Sequence, residues 1–279
     1  MEYTKKGYSM EYRELLAGIE RFGSTPEDMC QQAIGITIDK IKERVIIAPW
    51  WEPDVFINLG NEIIFLSDSY DSAVKVWNIK TDNFEVTYIK TGIGAPVLTD
   101  VLLALGLTAC KRVLFIGSVG ALDSKIGIGD IVIPEFSVCG DGVSRYLKGG
   151  VLNKNDVFGE KTYPEAQMFH ALKSITQKFC EQNNIRWHIG RNFSIDTIFA
   201  QFAYIDEIVQ MGCNTIEMET ASAFRAATIS NISLGALFSV SDNTMLNKSL
   251  YSGRTLDDIK YRKKVRKNIF PKIILEALE

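Results

Sequence analysis

The chain has 279 residues, 46% of them hydrophobic, enough to bury a substantial core in one large domain or two small ones. A formal net charge of −3 argues against a nucleic-acid or membrane-surface protein, and no uninterrupted apolar run is long enough to cross a bilayer. The opening "MEYTKKGYSMEYRELL" is charged throughout and lacks the apolar core of a signal peptide, so the expectation is a soluble, cytoplasmic protein.

Residues 1–40 are expected to form a helical lead-in. Strand-like apolar runs follow: "RVIIA" (44–48), "EIIFL" (62–66), "FEVTYIKTGIG" (84–94), "RVLFIGSVGAL" (112–122), "DIVIPEFSV" (130–138) and "LGALFSVSDN" (234–243). Helices are expected over 95–109, 164–183 and 217–230. Pro96 and Pro164 suit a first helical turn, where the missing N–H costs nothing. Continuous Val/Ile/Leu/Phe runs read as strands buried on both faces. Alternating with helices, they predict an α/β sheet sandwiched by helices, taken here as one domain over 1–279. Near the end, Thr255 and Asp258 resemble a capping box, and Pro271 kinks or restarts the terminal helix. The basic run 260–267 on that helix is read as a solvated face.

Five scattered cysteines without a C-x-x-C pair are expected to be buried or idle thiols, and two histidines without H-E-x-x-H make a metal centre unexpected. Two glycine turns follow strands. "TGIGAP" (91–96) runs into a helix, where amides around Gly94 can hold an anion, and "IGSVGAL" (116–122) offers Gly117, Ser118 and Gly120 for close approach to a ligand. Neither completes G-x-G-x-x-G, no P-loop is present, and Ile116 breaks G-x-S-x-G at Ser118. "SVSDN" (239–243) puts Ser241 and Asp242 at a strand's carboxyl end, where open α/β sheets collect ligands; capping a turn is the plainer role for Asp242 alone. "NTIEMETASAF" (214–224) raises a sharper question. Glu217 and Glu219 share a face on a strand but point to nearly opposite sides on a helix.

Taken in order, "TGIG", "IGSVGAL", "IEMET" and "SVSDN" resemble the nucleoside phosphorylase family of hexameric purine nucleoside phosphorylase, uridine phosphorylase and methylthioadenosine nucleosidase. "IGIGDIVIP" (126–134), "DGVSRYL" (141–147) and "HIGRNFSIDTIF" (188–199) agree, so the likeness covers roughly residues 44–260. It implies a three-layer α/β/α sandwich with a mixed central β-sheet, and cleavage of a nucleoside's N-glycosidic bond. By the same resemblance the E-M-E segment lies where a strand gives way to a helix. There Glu219 accepts the ribose hydroxyls, Met218 packs on the sugar and Glu217 flanks it. Ile198 and Phe199 fall at base-stacking positions, with Ile198 a departure from the aromatic residue usual there, and Ser241 lies beside the base. Asp242 matches the group that protonates the leaving base, and Arg254 sits near an arginine assisting it. A homo-oligomer, dimer or hexamer, is implied. No metal or organic cofactor is, and nucleic-acid and membrane partners are not expected.

The phosphate site departs from the family. Phe115 stands where an arginine precedes the glycine turn, "APWWEPD" (48–54) replaces an arginine-bearing loop, and Ser72 and Lys75 lie where a neighbouring subunit's arginine is usual. An early histidine that caps the sugar is also absent. A phenyl ring cannot replace bidentate, charge-assisted bonds. Two readings stay open. In the first, phosphate is the co-substrate, held by Ser118, the amides of 92–94, Lys75 and Arg145. In the second, water replaces phosphate, with Glu52 or Asp54 beside it. A third class, a non-catalytic nucleoside-binding relative, is kept alongside. Purine is the favoured base, although "DGVSRYL" leans toward uridine-phosphorylase-like members.

Overall fold

A computed structural model of the protein describes residues 10–279. Of the expected helical lead-in, residues 1–9 lie outside the described residues. The rest forms α1 (Tyr12–Glu20) and α2 (Pro26–Ile34), the latter started by a capping box between Thr25 and Asp28 and stopped by Gly35 at φ 84°.

The strands β1 (Arg44–Ala48), β2 (Glu62–Phe65), β3 (Lys75–Lys80) and β4 (Glu85–Lys90) come next, then α3 (Ala95–Leu105) and β5 (Arg112–Ala121). After β6 (Ile131–Gly140) and the short β7 (Lys161–Thr162) come α4 (Ala166–Asn183), β8 (Trp187–Ile195), α5 (Ile198–Gln210), β9 (Thr215–Glu217) and α6 (Thr220–Ile229). The chain ends with β10 (Ser233–Asn243), α7 (Leu256–Asn268) and α8 (Phe270–Leu278). As expected, the terminal helix is divided near Pro271, which falls in the first turn of α8.

The sheet is mixed. β1 runs parallel to β4 and β5, and β10 runs parallel to β5, whereas β2–β3, β3–β4, β5–β9 and β6–β10 are antiparallel. Because β10 pairs with both β5 and β6, and β6, β8, β9 and β5 pair in turn, these five strands close a ring. Side chains on β1 and β5 alternate between two cores, as period-2 geometry requires. Val45, Ile47, Val113 and Phe115 pack with residues of α2, α3 and α6. Ile46, Ala48, Leu114 and Ile116 pack with residues of α4, α7 and α8. Helices on both faces explain why these strands carry unbroken apolar runs.

Three strands, β3, β7 and β8, were not expected, and β9 only through the resemblance, which put a strand end at the E-M-E segment. β3 reads K-V-W-N-I-K, too polar to stand out, and β7 and β9 are too short. β8 carries buried Asn192 and Ser194, whose bonds lie in the site described next. Helix α5 was not expected either; only its first two residues, Ile198 and Phe199, lay within a quoted motif.

Candidate active site

The ring brings two acidic segments to either side of one glycine. On β5, Gly120 pairs with Ile216 of β9 and with Asp242 of β10. A β-bulge on β10 falls between Val240 and Asp242, so Ser241 is the extra residue and Asp242 is re-aimed. A Cβ on Gly120 would lie 3.2 Å from Ile216 Cγ2 and 3.4 Å from Asp242 Oδ2. Glycine here gives room to the carboxylate.

Glu217 is the last residue of β9, and Thr220 opens α6. The E-M-E segment is therefore the handover from strand to helix, and its two glutamates diverge in role. The Glu217 carboxylate accepts N–H bonds from Glu219 and Thr220, both 2.7 Å, and the Ser194 hydroxyl at 2.5 Å. It thus serves the first amides of α6, a position where negative charge is favoured. Glu219 is 5% exposed, and its Oε1 accepts the Gly94 N–H at 2.7 Å. Burial pushes both carboxyls up. Hydrogen bonds from Ser194, Thr220 and Glu219 oppose the rise at Glu217; at Glu219 the charge of Glu217 adds to burial and, against bonds from Gly94 and Met218, the group is pushed up to about 8. The charge of Glu217 thus works against ionisation of Glu219.

Asp242 is buried as well, and burial raises it. The Ser241 hydroxyl and the positive charges of Arg254 and Arg262 act the other way. Ser241 Oγ lies 2.6 Å from Asp242 Oδ1 and 3.1 Å from the Val119 carbonyl. Arg254 donates to the Leu250 carbonyl at 2.9 Å and to the Ser241 carbonyl at 3.4 Å, tying the segment after β10 to the bulge.

Glu219 and Asp242 open into one cleft of about 330 Å³, within the size range of small-molecule sites. Glu217, Met218, Ile198, Ser241, Gly117, Ser118 and Arg254 line it too. Gly94 touches it through its bond to Glu219, and its neighbour Ile93 is in the wall. Other candidates lie elsewhere. Phe199 is 88% exposed and outside the wall. Glu52 pairs with Lys90 at 2.8 Å and, with Asp54, borders a smaller adjoining pocket. Lys75 lies over the Tyr70 ring, and Arg145 borders a separate surface hollow. Phe115 is in the core, edge-on to Phe238 at 5.2 Å.

Sequence reasoning missed Gln201, Trp50, Trp51, Leu250, Arg262 and Arg266, all in the cleft wall. The arginines revise the reading of the basic run 260–267. Lys260, Lys263 and Lys264 are exposed, but Arg262 and Arg266 turn inward, and Arg262 donates to Ser118 Oγ at 2.6 Å. The signal was in the spacing. Asp258, Arg262 and Arg266 recur every fourth residue along one face of α7, and Arg254 stands four residues earlier, just before the N-cap Thr255.

A family model described as "Phosphorylase superfamily" matches residues 69–268. The chain belongs to the phosphorylase superfamily. It is similar to a guanosine phosphorylase of Halorubrum lacusprofundi, 25% identical over 170 residues, covering 61% of this chain and 66% of that protein. The chain thus spans just under two thirds of that relative's length. In structure, this superfamily member is similar to a uridine phosphorylase from Vibrio fischeri (TM-score 0.69, 20% identity, 87% of this chain and 95% of that one). It is also similar to an AMP nucleosidase from Bacteroides thetaiotaomicron (TM-score 0.64, 16% identity, 91% and 97%). At these identities the structural likeness concerns the fold.

Proposed function

We propose that this chain cleaves the N-glycosidic bond of a purine nucleoside with phosphate, giving free base and pentose 1-phosphate. The observation that carries the reading is the pair of buried carboxyls, Glu219 and Asp242, facing one cleft of nucleoside size. Bond cleavage builds positive charge on the sugar and negative charge on the base. A hydrogen-bond acceptor beside the sugar and an acid beside the base are therefore the two useful devices. Glu219 takes the ribose hydroxyls. Met218 packs on the sugar, and Ile198 packs on the base, with Ser241 holding Asp242 beside it. As the C1′–N bond breaks, its electron pair leaves with the base and Asp242 supplies a proton, later regained from water. A phosphate oxygen forms the new bond to C1′. Burial favours the protonated Asp242 that this step needs, and Arg254 and Arg262 stabilise the carboxylate left behind.

Phosphate as acceptor is supported by the phosphorylases among the relatives. A second reading, hydrolysis, is favoured by one observation: the phenyl ring of Phe115 is buried in the core and offers no charge to an anion. Base release measured by chromatography, with and without phosphate, tests both. Release that needs phosphate supports the first reading, and unchanged release in phosphate-free buffer supports the second. No release from any nucleoside, with binding retained in titration calorimetry, overturns both in favour of a non-catalytic binding protein. The same reading carries a homo-oligomer, checked by light scattering of the full chain.

A further inference from the structure

The inward face of α7 has no role in the steps above except through Asp242. Three guanidinium groups, from Arg254, Arg262 and Arg266, share the wall of the cleft. Among the described residues none of them forms an ion pair with a carboxylate within 4.0 Å. Arg262 Nε and Arg266 Nε are buried without any hydrogen-bond partner. Arg266 lies over the Trp51 ring at 5.3 Å, and Arg262 reaches Ser118.

Such an arrangement costs stability as it stands. Like charges repel, and buried N–H groups without acceptors lose their hydration without replacement. Burial, then Arg266 and Arg254, push Arg262 down to about 10. The nearby carboxyls do not restore the balance: Glu217 is occupied by the amides of α6, and Asp242 is one buried carboxyl facing both Arg254 and Arg262. Folds keep uncompensated buried cations where an anion completes them.

We propose that Arg262 and Arg266 of α7, with Ser118 of β5 and with Arg254 adding charge, form a phosphate-binding subsite. Its ligand is a tetrahedral phosphate dianion, which matches forked guanidinium donors plus a hydroxyl. The dianion comes either from inorganic phosphate, as the acceptor in the reaction proposed above, or from the phosphomonoester of a nucleoside monophosphate. In the first case the inference rests on that reading. The subsite supplies from α7 the charge that Phe115 does not supply from β5, and the four-residue spacing keeps both arginines on the cleft side while Lys260, Lys263 and Lys264 face water.

The test is titration calorimetry of the full chain with sodium phosphate, sodium chloride being the control, and separately with adenosine and guanosine 5′-monophosphates. Variants are Arg262→Gln, Arg266→Gln and the exposed control Lys263→Gln. Wild type is expected to bind phosphate or a monophosphate. Each arginine variant should bind roughly tenfold to a hundredfold more weakly, the range carried by one charge-assisted hydrogen bond, and the lysine control should match wild type. Binding of inorganic phosphate identifies it as the source. Binding of the monophosphates without competition from phosphate identifies the phosphomonoester. Both support the subsite. Undiminished affinity in the Arg262→Gln and Arg266→Gln double variant, or no binding of either ligand by wild type at millimolar concentration, overturns it. Far-UV circular dichroism of each variant separates lost binding from lost fold, and Arg262→Lys, which keeps the charge, should recover part of the affinity. Phosphate binding without base release would leave the subsite standing and defeat the proposed reaction. Phosphate-dependent base release that the arginine variants do not alter would do the reverse.

Discussion

Replacing Glu219 by Gln changes the acid–base behaviour of the site while nearly preserving its shape. The amide keeps an oxygen for the Gly94 N–H, which now reaches Glu219 Oε1 at 2.7 Å. In wild type, burial and the charge of Glu217 push this carboxyl from its ordinary 4.5 up to about 8. The unfolded chain releases the proton near its ordinary value and the folded chain only near 8. The group's contribution to stability is fully present below the lower value and is lost as pH rises through the upper one. The span is about 3.5 pH units at about 1.4 kcal/mol each, an upper bound of about 5 kcal/mol. About two of those units lie between about pH 6 and pH 8.5, so wild type should lose about 3 kcal/mol over that range from this residue alone. Urea denaturation followed by tryptophan fluorescence at both pH values measures it. The stability difference between Glu219→Gln and wild type should move by about that amount in the variant's favour at the higher pH. A difference that is the same at both would mean Glu219 is already ionised at pH 6, and the raised position of this carboxyl would be wrong.

Other outcomes follow from the same geometry. Asp242→Asn should lower base release by about 10²- to 10⁴-fold, the usual worth of a general acid, with little change in nucleoside affinity by titration calorimetry. If ribose hydroxyls donate to Glu219, nucleoside binding near pH 7 should release up to about one proton, read from calorimetry in buffers of different ionisation enthalpy. Gly120→Ala sets a methyl group 3.2 Å from Ile216 and 3.4 Å from Asp242. It should cost about 1–3 kcal/mol in urea titrations and displace the acid, lowering turnover without abolishing binding. Phe115→Ala should cost about 3–5 kcal/mol, because the ring is 1% exposed and packs on Phe238. A change below about 1 kcal/mol would show that Phe115 is not a core residue.

Much of this architecture is legible in the chain because the two-sided sheet forces it. Residues 44–48 read as a strand and form one, with Val45 and Ile47 facing one helical layer and Ile46 and Ala48 the other. Reading fails where polar groups are buried for a local purpose. β8 hides its strand character because Ser194 and Asn192 face inward, Ser194 bonding Glu217 and Asn192 pairing with Thr215. Glu217 and Glu219 look alike in sequence, yet one serves helix amides and the other faces the cleft. Only the point where β9 gives way to α6 separates them. The arginines of α7 were hidden by lysines at intervening positions, and net basicity masked a four-residue stripe. Ring closure through β10 puts Asp242 and Ile216 on either side of Gly120, a long-range pairing that no local pattern announces.

The account stands on one arrangement: a single nucleoside bridging Glu219 and Asp242. A crystal structure with a non-cleavable purine nucleoside analogue tests it most directly. Sugar hydroxyls within hydrogen-bond distance of Glu219, and the base edge within that distance of Asp242, are the predicted result. An analogue bound with its sugar or base turned away from these two carboxyls, or bound outside the cleft, would contradict it.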